Sequence, residues 1–219
     1  MSLLDFARGP ALEWSLIIFV IGVVWRLAGT FLFKGQKYLS KPKGTKFVSA
    51  GLMAIANKSF PPHELEKRIT FQHYTGYLFH IMLFIVVFLF EPHIAFFDWA
   101  LGISWPGLPT NVITFSSAVT VIILIALGIR RATDPVLKKL TTIDDWISWF
   151  LTITPFITGM MAFAHQNIGV RYEDLLALHI LNVCLLLIWI PFGKLMHMFL
   201  LFPGRYQMGE KFEYRGVKA

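Results

Sequence analysis

Five apolar runs of spanning length dominate this 219-residue chain: Leu12–Phe33, Phe71–Phe90, Val112–Ile129, Trp146–Ala164 and Leu175–Phe202. A bilayer hydrocarbon core of ~30 Å is crossed by about 20 helical residues, and each run reaches or approaches that length. A backbone in lipid must satisfy its own hydrogen bonds, and the runs lack the alternation of a barrel strand, so each is expected to be a helix. The balance of 56% apolar to 15% charged residues fits a chain whose solvent is lipid. The expected fold is therefore all-α: a polytopic bundle of five transmembrane helices. No composition shift divides residues 1–219, which read as a single membrane domain. The first run begins late and lacks a basic leader with a small-residue cleavage site, so it is expected to be a retained helix.

Charge orients the bundle. Lys34, Lys37, Lys41, Lys43, Lys46, Lys58, Lys67 and Arg68 lie between runs one and two. Arg130, Arg131, Lys138 and Lys139 lie between runs three and four, and Arg205, Lys211, Arg215 and Lys218 in the tail. Only Arg8 and Arg171 stand on the opposite side. The positive-inside rule then places the N-terminus outside and the C-terminus inside, as in the cytoplasmic membrane of a prokaryote. The same rule accounts for the net charge of +7, which needs no nucleic-acid partner. The single cysteine, Cys184, offers no disulfide or Cys-based cluster and reads as a small buried side chain. In the long inner loop, Phe47–Ala56 suits a short interfacial helix ended by Pro61-Pro62. Trp99, Trp105, Pro106 and Pro109 of the outer loop suit an aromatic belt capping the bundle.

Histidines carry the candidate chemistry. Of seven, His73, His80, His93, His179 and His197 lie in or at the edges of runs two and five, while His63 and His165 fall in loops and read as surface residues. Ligating side chains at membrane depth are costly and signal function. His179 and His197 are 18 residues apart; on an ideal helix that is five full turns and about 27 Å, one ring near each membrane face. Two metal centres stacked across a bilayer need this, each metal taking one histidine from each of two neighbouring helices. His80 matches the height of His197. His93, 13 residues and about 20 Å beyond His80, matches the height of His179, but an ideal helix turns it by about 220°, which requires a redirection at Pro92. The competing pair, His73 and His80, spans only ~10 Å. A third arrangement has one metal centre between His80 and His197, with His93 and His179 lining a polar pocket. The plain alternative is that a membrane histidine merely packs helices through hydrogen bonds; for His73 it outweighs the ligand reading, and for the pair spaced by 18 it does not. Gly76 and Gly159 are small enough for a flat cofactor to approach, though helix packing explains them as well. Arg26 and Lys194 suit either propionate pairing or snorkelling.

These residues resemble the gamma subunit of respiratory nitrate reductase and the related cytochrome b subunits of heterodisulfide reductase and sulfur-metabolising membrane complexes. The likeness rests on Leu178-His179 through Pro191-Phe192-Gly193-Lys194-Leu195-Met196-His197, on Gly76-Tyr77-Leu78-Phe79-His80 and on Arg130-Arg131. It implies a di-haem b-type cytochrome, an electron-transfer subunit of an oxidoreductase complex, with His80, His93, His179 and His197 on the haem irons. It further implies quinol oxidation near the outer face, two protons released outward, and electrons passed through two haems to a cytoplasmic iron–sulfur partner docked on the inner loops and the tail from Phe202. Quinone reduction by the same path stays open. In that family the second ligand on the second helix follows the first by ten residues, and here that position is Phe90. Either His93 takes the role through Glu91-Pro92, or the outer haem has another ligand, or a single haem is bound. Two other classes stand beside this one: a small transporter or proton channel using its histidines as relay, and a bare anchor. The first lacks a polar lining along Ile180–Pro191, where Asn182 is the notable polar group, and the second leaves the paired histidines unexplained.

Overall fold

The computed structural model describes residues 2–32, 39–60, 66–164 and 169–217. The expectations for Pro61-Pro62, His63 and His165 fall outside them. Every regular element among the described residues is helical. In chain order these are α1 (Leu3–Leu32), α2 (Phe47–Asn57), α3 (Glu66–Leu89), α4 (Glu91–Leu101), α5 (Thr110–Thr133), α6 (Pro135–Leu140), α7 (Ile143–Phe163), α8 (Tyr172–Trp189) and α9 (His197–Arg215). Five are long and apolar enough to cross a membrane: α1, the Ile69–Leu89 part of α3, α5, α7 and α8. The outward side chains of α1 include Trp14, Ile17, Ile21, Val24, Trp25 and Phe31, all exposed, as suits a surface wetted by lipid.

The helix ends follow local chemistry. The first helix starts at Leu3, nine residues before the apolar run suggested, and passes through a π turn at Ala7–Ala11 that contains Pro10. Asp134 caps α6 by accepting from the amides of Val136 (2.8 Å) and Leu137 (3.0 Å), and those bonds hold its carboxyl below the usual range. Thr142 and Asp145 form a capping box at the start of α7. The fifth apolar run, expected to continue to Phe202, is broken: α8 stops at Trp189, Pro191 cannot continue it, and a 3-10 turn at Lys194–Met196 leads into α9.

The chain forms two compact units: residues 1–15 with 71–186, and residues 16–70 with 187–219. In the first, Trp149 of α7 donates its indole N–H to the Leu124 carbonyl of α5 (2.8 Å), and its ring lies against Gly128, where a Cβ would come within 2.8 Å. That close approach of α5 and α7 depends on glycine, a common device between membrane helices. Buried hydroxyls are satisfied within their own helices, Thr120 on Ser116 (2.8 Å) and Thr158 on Thr154 (2.8 Å). Arg131 is tied to Asp145 (3.1 Å), and the Arg130 guanidinium lies 5.2 Å over the Phe71 ring.

In the second unit α2 packs along α9. Gly51 meets the Tyr206 ring and Gly209 meets the backbone of Ala50, so two side-chain-free positions set the spacing. Glu213 of α9 accepts from the Lys46 amide (2.9 Å) and so caps α2 from across the pair. Arg205 donates to Ser59 (2.9 Å), and the amide of Lys43 to the Tyr214 carbonyl (3.0 Å).

Candidate functional site

The break between α3 and α4 builds one half of the site. Phe90 is extended (φ −90°, ψ 124°), and α4 restarts at Glu91 with Pro92 in its first turn, where a missing amide costs nothing. The redirection expected at Pro92 is therefore made at Phe90. It leaves the last carbonyls of α3 without helical donors. Phe88 would have bonded the amide of residue 92, which proline lacks; it accepts instead from the Trp105 indole (2.5 Å). Leu89 accepts from the Leu108 amide (2.8 Å), and Val86 from His93 Nδ1 (2.9 Å). His93 thus folds back over the end of α3, and the loop between α4 and α5 is stitched down beside it. Burial holds the His93 imidazole below its usual range, against backbone carbonyls that raise it, so the ring is neutral near pH 7.

The other half is a notch on α7. Pro155, Thr158 and Gly159 share one face at i, i+3 and i+4. His179 of α8 enters there: its Nδ1 donates to the Pro155 carbonyl (3.0 Å) and lies 3.4 Å from the Thr158 hydroxyl. A Cβ on Gly159 would come within 3.0 Å of His179 Cε1 and 3.1 Å of Nδ1. Gly159 therefore makes room for the imidazole itself, a role the sequence did not separate from helix packing.

The two halves bring His93 and His179 together. Their ring centroids are 6.2 Å apart and their planes differ by 12°. Ring pairs packed without a metal have centroids ~4.5–7 Å apart, and two metal–imidazole bonds of ~2.0 Å plus two ring radii of ~1.1 Å also give ~6.2 Å across one metal. The separation is compatible with both arrangements.

His80 and His197 belong to different units and are described singly. His80 Nδ1 donates to the Gly76 carbonyl one turn back (2.7 Å), and His197 Nδ1 to the Lys194 carbonyl (3.0 Å). All four candidate ligands thus share one feature. A carbonyl oxygen only accepts, so in each of these bonds Nδ1 is the donor. His73 instead sits among tyrosines, with ring centroids 4.8 Å from Tyr77 and 5.6 Å from Tyr74. The break after Trp189 means that the five-turn phase reasoned for His179 and His197 does not describe one continuous helix.

Beside the His93–His179 pair lies a cavity of about 330 Å³, lined by Phe90, Glu91, Pro92, Leu108, Thr110 and Phe163 among others. Phe90 lines it and lies edge-on to His93 (5.1 Å) and to Phe163 (5.5 Å). Glu91 is the acidic group there, its stem resting against Gly107, where a Cβ would come within 2.8 Å. An acid beside Pro92 at the end of an apolar run is a visible signal in the sequence, but the pocket that gives it a role is not.

Among the described residues every regular element is helical, five helices are long and apolar enough to span a membrane, and the His93 and His179 rings lie near-parallel beside one another. A protein of Nitratidesulfovibrio vulgaris strain Hildenborough is 29% identical over 218 residues, covering 93% of this chain and 91% of its own length. No family model matches the chain. No solved structure matches it significantly.

Proposed function

We propose that this chain is a di-haem b-type cytochrome subunit, similar to the nitrate reductase gamma-like membrane cytochromes, that oxidises quinol at the outer face and delivers electrons to a cytoplasmic iron–sulfur partner. The observation that supports the reading is the His93–His179 pair, two near-parallel imidazoles from different helices with centroids 6.2 Å apart, which would hold one iron. The shared Nδ1-to-carbonyl bond supports extending it to His80 and His197 as ligands of an inner haem.

Haem b, when bound, supplies one-electron transfer between a two-electron donor and the partner. The residues of this chain supply the rest. The four imidazoles would hold iron, each oriented by a backbone carbonyl. Phe90 and Phe163 offer aromatic walls to a flat quinol ring, and Glu91 stands where a quinol hydroxyl would release its proton toward the outer water. The excess of Lys and Arg in the loops after α1 and α5 and in the tail favours an inside position for them, with the N-terminus outside, in a prokaryotic cytoplasmic membrane.

The reduced-minus-oxidised spectrum of the purified protein, with haem counted per chain, tests this. Two b-type haems are expected. A chain purified without a Soret band would overturn the proposal and leave a transporter or bare anchor.

A further inference from the structure

We propose that α2 lies in the headgroup layer of the bilayer and, with its flanking lysines, binds anionic lipid headgroups. The helix has two apolar faces, and the chain covers one. Gly51 and Ala54 are buried on the side of α9, while Val48, Leu52 and Met53 are 64%, 58% and 60% exposed, with Phe60 just beyond at 72%. At 100° per residue, positions 48, 52, 53 and 56 share the side opposite 51 and 54. Large apolar side chains gathered on one exposed face mark an interaction surface.

Charge identifies the occupant. No Asp or Glu occurs from Trp14 to His63. Lys41, Lys43 and Lys46 precede the helix and Lys58 follows it, all exposed. Apolar side chains between lysines form the pattern of a helix lying in a membrane interface, its ammonium groups reaching lipid phosphates while its apolar face enters the acyl boundary. The chain also keeps α2 near the bilayer, since it connects the span ending at Leu32 to the one starting at Ile69. Glu213, the acid that touches this helix, is engaged at the Lys46 amide on the α9 side. The inference rests on the five apolar helices and is independent of haem.

The test uses the full chain with Cys184→Ser, a nitroxide at Leu52→Cys and, separately, at Met53→Cys or Lys211→Cys, in nanodiscs of phosphatidylethanolamine and phosphatidylglycerol. The Leu52 and Met53 labels are expected to relax faster with oxygen than with a water-soluble nickel chelate, and the Lys211 label the reverse. Combined Lys41→Gln, Lys46→Gln and Lys58→Gln is expected to lower co-purified phosphatidylglycerol severalfold while the protein keeps its elution profile. Labels at 52 and 53 as open to nickel as the label at 211 would overturn the proposal and hand the face to water or a protein partner. Unchanged lipid content in the triple variant would overturn the headgroup assignment.

Discussion

The imidazoles of His93 and His179 face each other at 6.2 Å with their planes within 12° of parallel, although they come from helices on either side of the α5–α7 pair in sequence. Near-parallel axial imidazoles give low-spin ferric haem a rhombic electron paramagnetic resonance spectrum, and perpendicular ones a strongly anisotropic signal. The expected outcome for the outer centre is the rhombic form, lost in His179→Ala. Low-temperature spectra of the oxidised protein check it.

Gly159 is the floor of the His179 notch. In Gly159→Ala the added methyl would sit 3.0 Å from the ring, so the imidazole must shift. Overpacking of this kind costs about 1–3 kcal/mol. The variant is expected to lose or distort the outer haem while its far-ultraviolet circular dichroism stays native.

Glu91 faces the cavity beside the paired imidazoles. Loss of a positioned proton acceptor slows a step by about 10²–10⁴-fold. Glu91→Gln is expected to slow oxidation of a soluble naphthoquinol by that order with haem content and spectrum unchanged, and Glu91→Asp to restore part of the rate. An unchanged rate in Glu91→Gln, with haem present, would remove Glu91 from the path without touching the haem reading.

Trp105 takes up the Phe88 carbonyl that Pro92 leaves without a donor. Trp105→Phe keeps an aromatic ring, though a smaller one, and removes the N–H, at a cost of about 1 kcal/mol for the hydrogen bond alone. The expected result is a lowered thermal midpoint and faster amide exchange at Leu108, whose own bond to Leu89 closes the same loop.

Hydropathy made the spans legible because apolar length reports the solvent around a helix, and α2 was legible for the same reason. Breaks inside apolar sequence were not. The run from Leu175 to Phe202 looks continuous in composition, yet it divides at Pro191 and Gly193 because helix continuation depends on amides and backbone freedom, which hydropathy does not weigh. A redirection before His93 was legible at Pro92, while the residue that makes it, an extended Phe90, was not. The shared Nδ1-to-carbonyl bonds depend on rotamers and on carbonyls released by helix ends, so they appear only in three dimensions.

The central claim is that His93, and not His73, completes the outer haem site with His179. Haem per chain, measured as the pyridine haemochrome of the native protein, His93→Ala and His73→Ala, tests it most directly. The account predicts two haems in the native protein and in His73→Ala, and one in His93→Ala. Two haems in His93→Ala with one in His73→Ala would contradict it.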